Sequence, residues 1–424
     1  MSRIRESAAS RPPETSSEHP GQLEIDIPGR LERIDARRLN TDRLARVREQ
    51  LVRADYGAAL LADPLNIRYA TGTRNMQIWT MHAPGRYVFV PVDGPVVMFE
   101  FGTSLHLADG FETVDEVRPG TSPFYFLTGP RRPEKSEQWA REVIELMRAH
   151  GGTDQRLAVD RCEPWNAELL VRAGISLFDA QEPLELARMV KTPEEIQCLQ
   201  LAVDVADVAI RRMRESVVPG MTENQLWSIL HETNIAHDGE WIECRLLASG
   251  PRTNPWFQEC GNRVIEAGDL VAFDTDMIGP AGYMADLSRA FVCPGKPPTG
   301  EQRRLYELAQ EQVLTNVELI QPGMSFAEFG AKCWAVPAEF VPRRYMMLVH
   351  GAGLADESPV VTCAADREQS GYDGVFEEGM VVCAESFIGE VGGREGVKLE
   401  EQVLITAQGA VRLSSDSLDG GLVV

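Results

Sequence analysis

Residues 269–292, DLVAFDTDMIGPAGYMADLSRAFV, form two apolar runs separated by the turn-forming stretch IGPAG. The stretch begins with Asp269, and three further aspartates, Asp274, Asp276 and Asp286, lie within the apolar runs. Asp274 and Asp276 lie two positions apart, so on a β-strand their side chains point to the same face. The turn predicts a hairpin, and Asp286 on the returning strand can lie opposite them. Carboxylates this close together repel one another unless a proton or a cation lies between them. The stretch therefore predicts a hairpin that binds metal ions.

Two glutamates and one histidine near the C-terminus extend this pattern. Glu385 lies in VVCAESFI, Glu400 lies in GVKLEEQVLI, and the glycine-rich GEVGGREG between them predicts a turn. His350 in LVHGAG offers a nitrogen ligand, and its neighbouring glycines allow a close approach of the backbone. With the aspartates, these side chains supply ligands for two divalent metal ions. Such a donor set suits iron, manganese or zinc, and the absence of cysteine ligands argues against a structural zinc site.

The composition predicts a protein of the cytoplasm. Hydrophobic residues make up 43% of the 424 residues and charged residues 25%, as in ordinary globular proteins. The net charge of −22 argues against binding to nucleic acid. No stretch approaches the roughly 18 apolar residues that a membrane span needs, and the N-terminal stretch lacks the apolar core of a secretory signal. The eight scattered cysteines favour free thiols in a reducing compartment.

Changes in composition and pattern divide the chain into three segments. Residues 1–38 are rich in Ser, Pro, Glu and Arg, which predicts a mobile N-terminal arm or an arm that wraps a partner subunit. Strands alternate with helices in residues 39–188, as is typical of an α/β domain. Residues 189–424 begin a second domain with a helix that Thr192 caps and in which Pro193 takes the first position.

The C-terminal segment resembles the pita-bread fold of creatinase, prolidase, Xaa-Pro aminopeptidase and methionine aminopeptidase. The resemblance rests on KTPEEI, LLASG, GDLVAFD…DLSRAF, HGAGL…DESP, GMVVCAES and KLEEQVLIT, and more weakly on DPLNIRYATG, which resembles the creatinase N-terminal domain. It implies an α+β protein: a C-terminal pita-bread domain preceded by a creatinase-like α/β domain. It also implies a homodimer in which the N-terminal domain of one subunit borders the active site of the other. The superfamily's five metal ligands fall on Asp274, Asp286, His350, Glu385 and Glu400, and Asp276 adds a sixth carboxylate.

The chain departs from the peptidases of this superfamily at places that matter for catalysis. Asp356 replaces the histidine of the peptidase HExP segment, and Gln258 replaces the histidine expected after the Ala-Ser-Gly strand. Asp286 follows Asp274 by twelve residues, one more than in the peptidases. Peptide hydrolysis needs donors for the oxyanion and a proton for the leaving amine. Gln258 can donate a hydrogen bond but cannot shuttle a proton, which argues against peptidase activity.

This combination resembles one branch of the superfamily, the DddP-type dimethylsulfoniopropionate lyases. The resemblance implies a carbon–sulfur lyase that converts a small sulfonium carboxylate into dimethyl sulfide and acrylate by β-elimination, with iron as the favoured metal. The substrate carboxylate would bind the metal ions, which makes the adjacent C–H more acidic. Asp356, six residues after His350, is the candidate base. The alternative is that Asp356 only caps the turn that follows it.

A sulfonium group has no hydrogen-bond donors and is best held by aromatic faces and nearby acids. Each aromatic candidate has the alternative of being a core residue. The candidates are Trp256, Phe257 and Tyr345, and also Trp79 and Trp334.

Two other functions stay open at this point. One is an Xaa-Pro metallopeptidase or a creatinase-like hydrolase. It would be favoured if a further histidine reached the metal ions, and the candidates are His82, His106, His231 and His237. The other is a catalytically inactive pita-bread protein that only binds a ligand, against which bound metal would count.

Overall fold

The computed structural model describes residues 24–418 and 422. In residues 24–190 the α-helices are α1 (Ile27–Leu31), α2 (Ala36–Arg53), α3 (Pro64–Thr71), α4 (Gln77–His82), α5 (Tyr125–Thr128), α6 (Arg132–His150), α7 (Pro164–Arg172) and α8 (Gln181–Met189). The strands of the same part are β1 (Ala58–Leu61), β2 (Tyr87–Pro91), β3 (Val97–Glu100), β4 (Glu116–Pro119), β5 (Arg156–Val159) and β6 (Ser176–Asp179).

One six-stranded sheet forms the centre of this N-terminal part. Its strand order is β4-β3-β2-β1-β5-β6; the β1–β2 and β2–β3 pairs are antiparallel and the others are parallel. Strands β1, β2 and β3 are buried along their whole length because α2 packs on one face of the sheet and α6 on the other. Burial on both faces explains why these strands are continuous apolar runs in the sequence.

Part of the segment that the sequence predicts to be a mobile arm is folded. Residues 1–23 of the predicted mobile arm, 1–38, lie outside the described residues. Residues 24–38, however, contain α1 and the start of α2, and Ile27 and Ile34 are buried. For these residues the prediction of an arm is wrong, because Ile27 and Ile34 pack into the hydrophobic core of the protein.

The C-terminal part contains four further α-helices and three sheets. The helices are α9 (Pro193–Ser216), α10 (Glu223–Ala236), α11 (Gly300–Leu319) and α12 (Phe326–Lys332). The strands are β7 (Trp241–Ile242), β8 (Leu247–Ser249), β9 (Leu270–Asp274), β10 (Met277–Ile278), β11 (Met284–Ala285), β12 (Ser288–Val292), β13 (Met347–Ala352), β14 (Asp356–Thr362), β15 (Val381–Gly389), β16 (Gly396–Thr406) and β17 (Gly409–Arg412). Short 3-10 turns connect several of these elements in the described residues.

The three sheets have the orders β11-β10-β7, β12-β9-β8 and β14-β13-β15-β16-β17. Helix α11 packs on the last of these sheets through an apolar cluster that includes Val313 and Leu399. Taken with the mixed sheet of the N-terminal part, this is an α+β protein, as the sequence predicts. None of the helices in the described ranges combines the length and the hydropathy that crossing a bilayer requires.

The start of α9 confirms the predicted cap. The Thr192 hydroxyl accepts a hydrogen bond from the Glu195 backbone N–H (3.1 Å), and the Glu195 carboxylate accepts one from the Thr192 N–H (2.8 Å). This reciprocal pair satisfies two backbone donors that the first turn of a helix leaves free. Glu195 also accepts a hydrogen bond from the buried Tyr283 hydroxyl (3.1 Å), which ties α9 to the aspartate hairpin.

A buried ion pair in the N-terminal part gives a test of this fold. Glu100 on β3 accepts from Arg86 Nε (2.6 Å), and both side chains are almost completely buried. Glu100→Gln leaves the Arg86 charge buried without a counterion, so we expect the free energy of unfolding to fall by about 3–5 kcal/mol. Urea denaturation would measure it. Glu134→Gln, which breaks the exposed Arg131–Glu134 pair, is the matched control and should leave the midpoint unchanged. Equal effects of the two substitutions would contradict this account.

Candidate metal centre

Strand pairing brings the two glutamates and the histidine together. Glu385 on β15 and Glu400 on β16 are direct partners in the antiparallel register, as the glycine-rich turn predicts. His350 on β13 pairs with Cys383 on β15, two residues before Glu385 and hence on the same face of that strand. Ser288 on β12 donates to Glu400 Oε2 (2.9 Å) and so links this sheet to the aspartate hairpin.

The aspartate hairpin is kinked where the sequence predicts a continuous strand. The predicted strand 269–278 is interrupted at Thr275 and Asp276, between β9 and β10. Asp276 has a φ of +37°, in the left-handed region that non-glycine residues seldom adopt. The Thr275 hydroxyl donates across the hairpin to the Ala285 carbonyl (2.8 Å). The prediction that Asp274 and Asp276 share the face of one strand is therefore wrong; the kink brings their carboxylates together instead.

His350 lies against three buried carboxylates. Its Nε2 is 3.1 Å from Glu400 Oε1, 3.5 Å from Asp286 Oδ2 and 3.6 Å from Glu385 Oε1. One potential ligand atom from each of Asp286, His350, Glu400 and Cys383 lies within 4.8 Å of the others. The sequence did not single out Cys383, although its spacing of two from Glu385 on a strand would have placed it on the ligand face.

A second group of ligand atoms adjoins the first. The carboxylates of Asp274, Asp276 and Asp286 also lie within 4.8 Å of one another. Asp286 belongs to both groups, so it could contribute to holding both cations if two were bound. All six sequence-predicted ligands therefore lie in one continuous cluster, and five of them are buried.

The state of these carboxylates fits divalent metal ions. Asp274 Oδ1, Asp286 Oδ1 and Glu385 Oε1 are buried without a hydrogen-bond partner, whereas nearly all buried polar atoms in folded proteins have one. Burial and the neighbouring negative charges raise the pKa of Asp286 well above its ordinary value. Burial raises the pKa of Glu385 to about 8. Bound cations would be coordinated by these unpaired oxygens and would favour the charged form of the carboxylates. The residues therefore fit a two-metal site.

Lys398 is a charged member of the cluster that the sequence analysis missed. Its ammonium group is fully buried and donates to Glu400 Oε2 (2.8 Å), Ser288 Oγ (2.8 Å) and Asp274 Oδ2 (3.1 Å), and it lies 2.9 Å from Glu385 Oε2. Burial works to raise the pKa of Glu400, but Lys398 and His350 hold it below the ordinary value. Part of the positive charge that the carboxylates need is therefore supplied by the chain itself.

The three aromatic side chains predicted to hold substrate line one cavity. Trp256, Phe257 and Tyr345 surround a space of about 390 Å³. The Phe257 and Tyr345 rings stack with centroids 5.6 Å apart, and Lys398 Nζ lies 5.0 Å from the Tyr345 centroid. The cavity thus adjoins the carboxylate cluster. Trp79 lies elsewhere, against Phe101 in the N-terminal part.

The candidate base lies at the rim of the cluster. Asp356 Oδ1 is 3.3 Å from His350 Nδ1, and the Asp356 side chain is 56% exposed. Loss of solvent in the cleft raises the pKa of Asp356, and His350 partly opposes this rise. Asp356 is therefore accessible from solvent and also contacts His350. A role limited to capping the following turn would not require this contact.

Comparison with known proteins identifies the family. The model of metallopeptidase family M24 matches residues 197–407, and that of the creatinase/prolidase N-terminal domain matches residues 43–190. A protein of Roseovarius nubinhibens named dimethylsulfoniopropionate lyase DddP is 39% identical over 92% of this chain and 88% of its own length. The chain belongs to the M24 family. A protein of the same name from Roseobacter denitrificans is 38% identical over 93% of this chain and 89% of its own length.

More distant members of the M24 family share the fold. An Xaa-Pro dipeptidase of Pyrococcus furiosus is 31% identical over 54% of this chain and 63% of its own length. Among solved structures, an Xaa-Pro dipeptidase from Bacillus anthracis superposes with a TM-score of 0.72 at 20% identity, covering 89% of this chain and 98% of the other. These likenesses identify the pita-bread fold preceded by a creatinase-like domain.

The histidines that would favour a hydrolase do not join the cluster. His231 packs against Trp227, and the ring of the buried His237 contacts the Thr233 carbonyl (2.8 Å). Among the residues that the structure describes, His350 is the histidine within reach of the potential metal ligands. This M24 chain therefore offers one imidazole at its candidate centre.

Metal binding gives a direct test of the cluster. We expect divalent manganese or iron, added to chelator-treated protein, to raise the melting temperature, because a ligand that binds only the folded state stabilises it by about 2.7 kcal/mol at roughly a hundredfold excess over Kd. His350→Ala and Glu385→Gln should reduce the rise by more than half. Differential scanning calorimetry with metal analysis would measure both.

Asp356→Asn is the control for this experiment, because Asp356 is not one of the six predicted ligands and its side chain is 56% exposed, whereas Glu385 is buried. It should retain the full thermal shift and the wild-type metal content. A wild-type protein that neither retains metal nor shifts on its addition would contradict the metal centre.

Proposed function

We propose that this protein is a metal-dependent carbon–sulfur lyase that cleaves dimethylsulfoniopropionate into dimethyl sulfide and acrylate. The observation that carries the proposal is Asp356: a carboxylate stands beside His350, in the segment where the family's peptidases have a histidine. The two relatives named dimethylsulfoniopropionate lyase match nearly the whole chain, which supports the same activity.

We assign the metal ligands as Asp274, Asp276, Asp286, His350, Glu385 and Glu400. These six side chains would hold two divalent ions: Asp286 belongs to both groups of neighbouring ligand atoms, and Glu385 lies beside His350. Iron is the metal we favour, with manganese and zinc as alternatives, since one imidazole and several carboxylates suit all three. Bound metal supplies Lewis-acid polarisation of the substrate carboxylate.

The reaction needs one base and no acid. Asp356 takes a proton from the α-carbon, the electron pair of that C–H bond forms the Cα=Cβ double bond, and the β-carbon–sulfur bond breaks with its electrons on sulfur. Dimethyl sulfide leaves as a neutral molecule, so no leaving group has to be protonated. A single carboxylate that acts as a general base is sufficient for this elimination. The rise in the pKa of Asp356 makes it a better proton acceptor than an ordinary aspartate.

Charge and shape suggest how the zwitterion is bound. The substrate carboxylate would bind at the metal centre, where bound divalent ions would offer positive charge. Trp256, Phe257 and Tyr345 line the adjoining cavity, and Phe257 is 65% exposed. Aromatic faces bind sulfonium groups through the ring quadrupole, so these three residues are the proposed substrate contacts.

The second candidate function is that of an Xaa-Pro metallopeptidase or a creatinase-like hydrolase. The complete set of family ligand positions and the likeness to Xaa-Pro dipeptidases favour it. Against it stands that, among the described residues, the cluster contains one imidazole, that of His350, whereas peptide cleavage also needs a proton for the leaving amine. A role as an inactive binding protein is less compatible with a cluster that retains every ligand position.

The test is release of dimethyl sulfide by metal-loaded protein. We expect headspace gas chromatography to detect sulfide with the wild type, and Asp356→Ala to lower kcat by about 10²- to 10⁴-fold, the usual contribution of a general base. Iron, manganese and zinc forms are compared in parallel.

Metal analysis separates the two residue roles. Asp356→Ala should keep its metal and His350→Ala should lose both metal and activity. A metal-loaded wild type that releases no sulfide but cleaves Ala-Pro would instead support the hydrolase.

We further propose that the protein is a cytoplasmic homodimer. The N-terminal part exposes an apolar patch formed by Met76, Ile78, Tyr125, Phe126 and Leu127, and exposed patches of this kind often mark interfaces. A second copy of the chain is the proposed occupant.

Sedimentation equilibrium tests the dimer. We expect the wild type to sediment as a dimer and Phe126→Glu to shift it towards the monomer, because the substitution places a charge in the patch. Val171→Glu, at an exposed apolar residue outside the patch, is the control. A wild type that sediments as a monomer contradicts the homodimer.

A further inference from the structure

Asp356 has little of its own to hold it in place. Its side chain is 56% exposed, and His350 is the partner that its carboxylate contacts. Proton abstraction is sensitive to position: a misplacement of about 1 Å can cost a hundredfold in rate. The direction of the Asp356 side chain must therefore be set by the backbone of residues 353–358.

The neighbouring residue Glu357 anchors this backbone on the other side. Successive side chains of a strand point in opposite directions, so fixing Glu357 fixes the direction of Asp356. Glu357 is buried, accepts hydrogen bonds from Lys191 Nζ (2.6 Å) and the Leu354 N–H (3.0 Å), and lies 3.3 Å from Arg188 Nε.

The packing of Gly353 keeps this contact tight. A Cβ atom at that position would lie 2.2 Å from Glu357 Oε2, so only glycine leaves room for the carboxylate. The Gly353 carbonyl also accepts from the Met284 N–H (2.8 Å), on the aspartate hairpin. The beginning of the 353–358 segment is thus fixed to the aspartate hairpin.

The other end of the segment is held by helix α8. The Ser358 N–H donates to Glu185 Oε2 (2.8 Å), and Glu185 is paired with Arg188 on the same helix. Arg188 also donates to Asn66, whose amide donates to Asp160 Oδ2 (3.0 Å). A continuous chain of polar contacts therefore runs from the N-terminal sheet through α8 to the backbone that carries the candidate base.

We propose that Glu185 is a positioning residue: through its hydrogen bond to the Ser358 N–H, it lets α8 hold the 353–358 segment so that Asp356 faces the metal cluster. This inference rests on the proposed function, because it assigns Glu185 a part in proton abstraction by Asp356. It gives the N-terminal part a role in the chemistry of its own chain without contact to substrate.

The test compares three variants of α8. We expect Glu185→Ala to lower kcat for sulfide release about tenfold to a hundredfold while KM changes less than threefold. Glu185→Gln should stay within about threefold of the wild type, since its amide oxygen can still accept from the Ser358 N–H. Glu182→Ala is the matched control, because Glu182 is an exposed acid in the first turn of the same helix.

Hydrogen exchange provides a readout that does not depend on activity. Mass spectrometry should show faster exchange in the peptide that covers residues 353–360 in Glu185→Ala, with wild-type rates in Glu185→Gln and Glu182→Ala. Melting temperature and metal content are measured in each variant. A loss of activity that only follows a loss of folded or metal-loaded protein would overturn the positioning role.

The outcomes separate this inference from the function on which it rests. A wild type that releases no sulfide overturns the lyase, and the assignment of Glu185 with it. An active wild type whose kcat is unchanged in Glu185→Ala overturns the positioning role alone, as does unchanged exchange at residues 353–360.

Discussion

Crowding of buried carboxylates is the constraint on which the rest of this structure depends. Acidic groups from the kinked hairpin and from β15 and β16 converge within a few ångströms of His350. Out of water such charges repel strongly, and each also loses its hydration. Positive charge at this point is therefore a condition of the fold as well as of the chemistry.

One buried cation of the chain, Lys398, neutralises part of this negative charge, and the remainder can be neutralised by bound metal ions. Lys398 contacts three of the acids and is itself fully buried, so it can neutralise them only in one fixed place. The orphaned oxygens of Asp274, Asp286 and Glu385 lie beyond what this one ammonium group can satisfy. The centre is also asymmetric: aromatic side chains line the adjoining cavity, whereas the exposed Asp356 carboxylate lies at the rim of the cluster.

The sequence predicted those features of the site that local sequence pattern determines, and it missed those that depend on contacts between distant residues. The direct opposition of Glu385 and Glu400 followed from a glycine-rich turn between two apolar runs, and the cap of α9 followed from Thr192 and its neighbours. The kink at Thr275 could not be predicted in this way, because it depends on a hydrogen bond to a residue across the hairpin. Burial of Ile27 likewise depends on a distant core. Lys398 was missed although its spacing from Glu400 carried the signal, since a lysine in a strand is usually a surface residue.

The backbone at Asp276 has a consequence for how such a site arises. A φ of +37° is one that glycine adopts without strain and that aspartate tolerates better than most residues. An aspartate at such a position adds a carboxylate to the cluster with less backbone strain than most other side chains would bring. Here the added carboxylate comes with a hairpin that is one residue longer than in the peptidase pattern, so charge and backbone length change together at this centre.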